Sequence, residues 1–179
     1  MSLFNIFHRI MVKLGRHRLI PDRRTGEDYM DRYYLFLKDR SWFPFNLTLH
    51  KIVRSDDPIM HDHPWSYLTI VLKGGYWEHT PVFSSEGKMI AEFQTWRGPG
   101  SIIKRSAGEY HWLELDEKVG PATTLFFMGK QQREWGFLTN TKTGKNRWIQ
   151  WELYLNNYKE YHKQYIEPKI TQMANKKKD

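Results

Sequence analysis

The stretch HDHPWSYLTIVLKGGYWEH, residues 61–79, joins two closely spaced histidines to an apolar segment and a double glycine. In an extended strand, residues i and i+2 project from the same face, so the pattern predicts that His61 and His63 point together. The apolar segment 65–72 predicts a strand, and the two glycines predict a turn into a second strand over 76–83. The two histidines are therefore candidate ligands of one metal ion, and a pair of surface histidines beside a turn is the alternative.

A second segment, GSIIKRSAGEYH at 100–111, supplies a third histidine. It contains a glycine, a short apolar strand over 101–104, a tight turn at Ala107 and Gly108, and then His111. A histidine that follows such a turn begins a new strand, and in a small barrel it can face the first pair. Three neutral imidazoles leave open positions on a metal ion, as a catalytic site requires.

Short strand-like segments separated by turn signals continue along most of the chain. FNLTLHKIV at 45–53 alternates between apolar and polar residues, and RYYLFLK at 32–38 is rich in aromatic residues. Turn-forming sequences such as SDDP, SSEG and GPG separate these segments, and the pattern predicts an all-β sandwich or barrel. The remaining predicted strands are 90–96, 101–104, 111–115, 122–128, 134–139 and 147–151.

The chain has 179 residues, of which 40% are apolar and 16% aromatic. This length suits one domain over 1–179, with a barrel over about 32–151. The chain has no cysteine, which excludes a disulfide, a thiolate ligand and a cysteine nucleophile. We therefore expect a reducing, cytoplasmic location.

Helices are expected at both ends of the chain. A helix over about 3–14 is interrupted by basic residues, which argues against a membrane span or a signal peptide and leaves a membrane-surface helix as the alternative. ELYLNNYKEYHKQYI predicts a second helix over about 152–167, and the basic tail 175–179 is interpreted as solvated. Four apolar residues of the first helix are expected to pack on the barrel: Leu3, Phe7, Ile10 and Leu14.

The two histidine segments resemble the two motifs of the cupin superfamily, G-x5-H-x-H-x(3,4)-E-x6-G and G-x5-P-x-G-x2-H-x3-N. The resemblance covers residues 55–115 closely and the other strands more loosely. HDHPW, with REWGF at 133–137, is also similar to small cupins of phage and bacterial genomes. At the motif positions this chain has Ser55, His61, His63, Tyr67 and Gly74, and then Gly100, Ser106, Gly108, His111 and Leu115.

The resemblance implies a double-stranded β-helix, the cupin jelly-roll barrel, with a short N-terminal and a C-terminal helix. Tyr67 stands where the family has a carboxylate ligand, and tyrosine is a poor substitute ligand at neutral pH. The site is then similar to that of the three-histidine thiol-dioxygenase branch. Glu78 on the next strand is a candidate fourth ligand, and the alternative is a surface carboxylate near His79.

Tyr67 and Arg133 are the candidate catalytic residues. Tyr67 shares the parity of His63 along its strand, so it is expected to project inward as a substrate contact, a proton donor or a core residue. Arg133 offers a planar fork for a carboxylate or phosphate, with a salt bridge at the rim as the alternative. It is expected to share one strand face with Trp135, with Glu134 on the other face. Two roles are considered for His50: it lines the pocket, or it is a structural residue with its hydrogen bonds satisfied.

The formal net charge is +8, and Lys104, Arg105 and Arg133 are expected near the pocket. These cations predict a small anionic substrate. A basic surface also fits nucleic acid, but the chain lacks a recognition helix or a glycine-rich phosphate loop. The oligomeric state is left undecided, with a homodimer as one alternative.

We favour a metal-dependent cupin enzyme, a mononuclear Fe(II) three-histidine oxidoreductase of the dioxygenase type. Mn, Ni and Zn are the alternative metals. Two other functions remain open: a non-enzymatic cupin that binds a small ligand, and a metal-independent sugar-nucleotide isomerase or epimerase.

Overall fold

A computed structural model of the protein describes residues 2–38, 43–140 and 146–161. Within these residues the chain forms two helices and eleven strands. The helices are α1 (Leu3–Lys13) and α2 (Trp151–Asn156), and the strands are β1 (His17–Pro21), β2 (Asp28–Tyr34), β3 (Asn46–Ile52), β4 (Trp65–Lys73), β5 (Tyr76–Phe83), β6 (Met89–Arg97), β7 (Ile102–Arg105), β8 (Trp112–Leu115), β9 (Ala122–Gln131), β10 (Gly136–Asn140) and β11 (Asn146–Gln150).

The strands form antiparallel sheets that enclose the interior. The larger sheet has the order β1-β2-β3-β9-β4-β7, and the others are β6-β5-β8 and the hairpin β10-β11. His61 joins the two smaller sheets, because it forms bridges with His111, directly before β8, and with Phe137 in β10. This arrangement confirms the predicted all-β jelly-roll barrel with a short N-terminal helix and C-terminal helical structure.

The larger sheet begins earlier than the sequence predicted. β1 was not predicted, and β2 begins at Asp28 rather than near residue 32. β1 is the edge strand of the sheet, with no fully buried residue. A strand that pairs on one side and is largely exposed carries little apolar alternation, which explains why the pattern missed it.

Three side chains of α1 that were expected to pack on the barrel are exposed. Leu3, Ile10 and Leu14 are 86%, 52% and 62% exposed, whereas Met11 is buried. The contact with the sheet is made by Phe4, Phe7 and Met11 together with His8, which follow the spacing i, i+3, i+4 and i+7. α1 is apolar on more than one face, so helical periodicity alone could not identify the packed one.

The predicted C-terminal helix is interrupted at Asn157 within the described residues. α2 ends at Asn156, and a further helical stretch covers 158–161. Tyr154 of α2 is buried against Ile149 and Ile59, and this fastens the helix to the β10–β11 hairpin. The rest of the predicted helix, 162–167, and the basic tail, 175–179, lie outside the described residues. Among the residues described, no helix has the length and apolarity needed to cross a membrane.

Candidate metal centre

His61 and His111 are held side by side by the backbone. Each donates its N–H to the carbonyl oxygen of the other at 3.0 Å. Directly opposed residues of an antiparallel pair place their side chains on the same face, so the two rings lie 5.0 Å apart. The barrel thus brings together two histidines that are 50 positions apart in sequence.

His63 completes the cluster. Its Nε2 lies 2.9 Å from Nε2 of His111, and its ring is 5.4 Å from that of His61. One potential ligand atom from each of the three histidines lies within 4.8 Å of the others. Two imidazole nitrogens at about 2.1 Å from one ion, at right angles to each other, are about 3 Å apart. The spacing of the donors therefore fits a single divalent ion.

The protonation states of His61 and His63 also fit a metal. Burial lowers the pKa of His61 to about 4, and the neighbouring His111 adds to this effect. Burial likewise lowers the pKa of His63 well below its ordinary value. Both rings are therefore neutral at pH 7, which is the form in which imidazole donates a lone pair to a metal.

Glu78 is buried behind His111, and it is not a surface carboxylate. Its Oε1 lies 3.2 Å from Nδ1 of His111, and its two oxygens form ion pairs with Arg97 and Arg105 at 2.8 and 2.9 Å. Burial alone would raise the pKa of Glu78, but the hydrogen bond with His111 and the charge of Arg105 hold it at about 2. An ionised Glu78 accepts the Nδ1 proton of His111, so Nε2 keeps its lone pair for the cluster.

This placement changes the role expected for Glu78. The carboxylate is engaged by His111, Arg97 and Arg105, and it is not a member of the three-histidine group of donor atoms. The contacts therefore fit Glu78 as an orienting partner of His111, and whether it also ligates an ion stays a prediction. Local patterns could not indicate these contacts, because the two arginines lie 19 and 27 positions further along the chain.

Asp62 fixes the segment that carries His61 and His63. Its side chain is fully buried on the opposite side of the segment, where it accepts hydrogen bonds from Gly136 N–H at 2.7 Å and Trp148 Nε1–H at 3.1 Å. Burial raises the pKa of Asp62 even though these donors favour its charged form. We did not predict this residue, although its position between two inward histidines indicates a side chain directed the other way.

Tyr67 projects to the cluster, as its parity with His63 predicted. Its hydroxyl lies 3.2 Å from Nε2 of His111, and its ring stacks on Phe126. Burial raises the pKa of Tyr67 well above its ordinary value, so the hydroxyl stays protonated. A protonated hydroxyl beside the donor nitrogens is available as a hydrogen-bond donor to a ligand.

The turn before His111 depends on Gly108. Its φ is +87°, and its N–H donates to the carbonyl oxygen of His63 at 3.3 Å. A Cβ at this position would be strained and would collide with the guanidinium of Arg133. The glycine therefore lets the turn that carries His111 lie directly against the His63 segment.

Arg133 does not line the cavity. Its guanidinium forms an ion pair with Asp62 at 3.2 Å and lies over the ring of Trp148. The sequence analysis placed Arg133 and Trp135 on one face of a strand, but β10 begins only at Gly136. The alternating parity of a strand therefore does not apply, and Trp135 lines the cavity while Arg133 does not.

The other predicted cations take two different positions. Lys104 is exposed on β7, whereas Arg105 pairs with Glu78. His50 lines the cavity and is also hydrogen-bonded, with Nε2 at 3.0 Å from the hydroxyl of Thr48 and 3.2 Å from Nε of Arg32. The two roles considered for His50 therefore coexist.

A cavity of about 310 Å³ lies between the sheets, and the three histidines line it together with Tyr67. Its walls are largely apolar and aromatic, as is usual for small-molecule sites. Tyr154 also lines it, and the hydroxyl of this buried residue has no hydrogen-bond partner in the described part of the chain. A buried tyrosine hydroxyl without a protein partner is suited to contact a ligand.

Arg23 and Arg32 are the cavity-lining cations without a carboxylate partner among the described residues. Arg32 donates to His50, and Arg23 lies over the ring of Trp151 at 4.1 Å. Arg24 also lines the cavity, but it pairs with Asp57 at 3.1 Å. Neither residue was predicted: Arg23 precedes the predicted strands, and Arg32 begins the predicted segment 32–38, where no motif connected it to the histidines.

No family model matches the chain, and no curated protein matches it significantly. Among solved structures, the polyketide cyclase RemF from Streptomyces resistomycificus is similar with 17% identity and a TM-score of 0.52, over 72% of this chain and 84% of that chain. A cupin-2 domain protein from Rhodospirillum rubrum has 11% identity and a TM-score of 0.49, over 72% and 78% of the two chains.

A third similar structure, Fe(II)-HppE with an alternative substrate, has 13% identity and a TM-score of 0.48, over 64% of this chain and 56% of that chain. At these identities the similarity concerns the fold alone. The antiparallel sheets and the similarity to RemF agree with the jelly-roll fold that the resemblance of the two histidine segments implied. The comparisons thus show the fold of this chain.

Proposed function

We propose that the protein is a metal-dependent enzyme that acts on a small anionic substrate, most simply a three-histidine oxidoreductase of the dioxygenase type. The observation that carries this proposal is the convergence of His61, His63 and His111 in a cavity, two of them held neutral by burial. A divalent ion bound there, with Fe(II) favoured over Mn, Ni and Zn, supplies Lewis acidity and, for iron, redox chemistry toward O2.

The charges around the cavity favour an anionic substrate. The three donor side chains contribute no negative charge, and the carboxylate of Glu78 is paired with Arg97 and Arg105. Three aspartates also line the cavity: Asp57 pairs with Arg24, Asp56 accepts a hydrogen bond from the hydroxyl of Tyr29, and Asp22 accepts from backbone N–H groups of its own loop. Arg32 lines the same cavity without a carboxylate partner in the described ranges, and its charge lowers the pKa of His63. A carboxylate or phosphate group would therefore find the guanidinium of Arg32 close to the histidine cluster.

Two tyrosines supply hydrogen bonds in this proposal. Tyr67 holds a proton beside Nε2 of His111, and with that nitrogen occupied by an ion the hydroxyl is released to donate to the substrate. Tyr154 offers a second hydroxyl that lacks a described protein partner.

The metal requirement is tested by anaerobic purification followed by elemental analysis. The wild type is expected to contain about one equivalent of a redox-active divalent metal at the interior cluster, and His63→Ala is expected to lose it. His50→Gln is the matched control, because His50 lines the same cavity without belonging to the donor group. Equal metal content in His63→Ala and the wild type would overturn the assignment.

The substrate class is tested by a thermal-shift screen of small carboxylates, thiols and sugar nucleotides, followed by calorimetry with the best compound. Arg32→Leu is expected to weaken its binding by about 1.5–3 kcal/mol, the range for a charged hydrogen bond. Arg133→Leu is the control, because its guanidinium is directed to Asp62 outside the cavity lining. Equal losses in both variants, or a neutral best ligand, would contradict the charge argument.

A metal-independent isomerase or epimerase is the second candidate. The observation that favours it is the direct contact of Tyr67 with His111, because a histidine and a protonated tyrosine can serve as base and acid. Binding and turnover of a sugar nucleotide that survive complete metal removal would favour this function over the oxidoreductase.

A further inference from the structure

A second group of potential ligands lies outside the barrel cavity. His8 in α1, His17 in β1 and Asp31 in β2 each place one potential ligand atom within 4.8 Å of the others. Nε2 of His17 is 2.7 Å from Oδ1 of Asp31, and the rings of His8 and His17 are 4.9 Å apart. All three side chains are partly buried where α1 meets the edge of the larger sheet.

The sheet register explains how two of these residues meet. His17 pairs with Tyr33, and Asp31 is two residues from Tyr33 on the same strand. His17 and Asp31 are therefore diagonal neighbours on one face of the sheet. This arrangement depends on the backbone pairing of β1 with β2, and it does not require an ion to hold it.

Tyr33 orients the third member. Its side chain is fully buried, and its hydroxyl is 2.9 Å from Nδ1 of His8. Phe7 also packs on the ring of Tyr33, with the centroids 5.1 Å apart. The contacts that dock α1 on the sheet thus also bring His8 to the other two ligands.

We propose that His8, His17 and Asp31 form a second divalent metal site, which takes zinc and fastens α1 to the sheet edge. Two imidazoles and a carboxylate are a donor set that zinc accepts, with water completing a tetrahedral arrangement. Three ligands from three separate elements cross-link the helix to β1 and β2. The simpler alternative is an ion pair between His17 and Asp31 with His8 as a neighbour.

The test is a titration of chelator-treated full-length protein with Zn²⁺ alone, with stoichiometry read by calorimetry. The wild type is expected to bind two equivalents, and Asp31→Asn and His17→Ala are expected to bind one. His63→Ala is expected to keep the equivalent at the edge site, and the double variant His17→Ala/His63→Ala none. Asp28→Asn, an exposed residue on the same strand, is the matched control and is expected to keep both.

The variants separate this proposal from the one for the barrel cavity. If Asp31→Asn binds one Zn²⁺ fewer than the wild type and His63→Ala still binds one Zn²⁺, the edge site is supported. This holds even if the interior cluster binds no Zn²⁺. Unchanged stoichiometry in both Asp31→Asn and His17→Ala would overturn the edge site. Asp31→Asn is close in shape to the wild-type residue, so a change in its binding reports on the ligand rather than on folding.

Hydrogen exchange tests the fastening of the helix. In a His63→Ala background, Zn²⁺ is expected to slow amide exchange over 3–13 at least tenfold, because opening of α1 must then break the metal site. The same measurement in His63→Ala/Asp31→Asn is expected to show no effect of zinc. Zinc that binds at the edge without slowing exchange in α1 would overturn the structural role.

Discussion

The two histidine clusters of this protein differ in how their ligands are supported. In the interior cluster, His111 is backed by the ion-paired Glu78, and the His61 segment is fastened by the buried Asp62. At the sheet edge, His8 is oriented by a hydroxyl of Tyr33, and the other two ligands are partly exposed. The interior cluster is therefore backed by buried carboxylates, whereas the edge cluster, although strand pairing places His17 and Asp31, lacks a buried carboxylate behind its histidines among the described residues.

Support of this kind matters because ligand orientation determines metal affinity. A histidine whose second nitrogen is hydrogen-bonded to a carboxylate has a fixed tautomer and a more basic donor atom. Pre-organised ligands also lose less conformational freedom when the ion binds. We therefore expect the interior cluster to bind a divalent ion more tightly than the edge cluster does. The following experiments test the residues to which this difference in affinity is attributed.

The largest effect is expected when Asp62 is removed. Asp62→Ala leaves Gly136 N–H and Trp148 Nε1–H without their acceptor and deprives Arg133 of its ion pair. We expect the free energy of unfolding to fall by about 3 kcal/mol, because buried donors are left unsatisfied. Urea denaturation of the metal-free protein measures this change.

Asp57→Ala provides the control for Asp62→Ala. Asp57 forms an ion pair with Arg24, but both side chains are partly exposed. Its loss is expected to cost less than about 1 kcal/mol. If the two variants were equally stable, Asp62 would not be the residue that fastens the histidine segment.

The next effect concerns the orientation of His111. Glu78→Gln removes the charge that holds the Nδ1 proton, so the affinity of the interior cluster for Zn²⁺ is expected to fall about 10–100-fold. Competition with a chromophoric chelator measures this loss. Glu114→Gln, which alters the carboxylate partner of His79 in the same sheet, is expected to leave metal affinity unchanged. An equal loss in both variants would point to general damage of the sheet.

The interior of the barrel was partly predictable from the sequence. His61 and His63 are two residues apart, and His111 follows a glycine turn, so short-range rules were sufficient to select them. Turn residues at near-regular intervals were likewise sufficient for an all-β fold. These signals are local, so each can be recognised without knowledge of the tertiary contacts.

The supporting residues were not predictable in the same way. Glu78 meets Arg105 and Asp62 meets Trp148 only because distant strands come together, over separations of 27 and 86 positions. The edge cluster has the same difficulty, because His8, His17 and Asp31 belong to three different elements. Arg133 was misplaced because strand parity was applied to a segment that is not a strand.

A smaller effect is expected for the pH dependence of stability, to which the cavity residue His50 contributes. Burial and the charge of Arg32 lower the pKa of His50 well below 6.5, so the folded protein keeps it neutral. Below pH 6.5 the unfolded chain gains a proton that the folded chain does not, so stability falls on acidification by up to about 1.4 kcal/mol per pH unit. His50→Gln removes this contribution.

We therefore expect the wild type to lose more stability than His50→Gln between pH 7.5 and pH 5.5, by about 1 kcal/mol. Urea denaturation of the chelator-treated proteins at several pH values measures the difference. The other histidines are present in both proteins, so their contributions cancel. Parallel pH profiles would mean that His50 titrates normally in the folded protein.

The last effect concerns the face of α1 that docks on the sheet, which also holds the edge cluster together. Phe7 packs on Tyr33, so Phe7→Ala is expected to lower the free energy of unfolding by about 1–2 kcal/mol in metal-free protein. Ile10 is 52% exposed, so Ile10→Ala is expected to stay within about 0.5 kcal/mol of the wild type. Because Phe7 and His8 contact the same tyrosine, Phe7→Ala is also expected to weaken zinc binding at the edge cluster while leaving the interior cluster unchanged. The reverse order of stabilities would mean that Ile10, rather than Phe7, packs on the sheet.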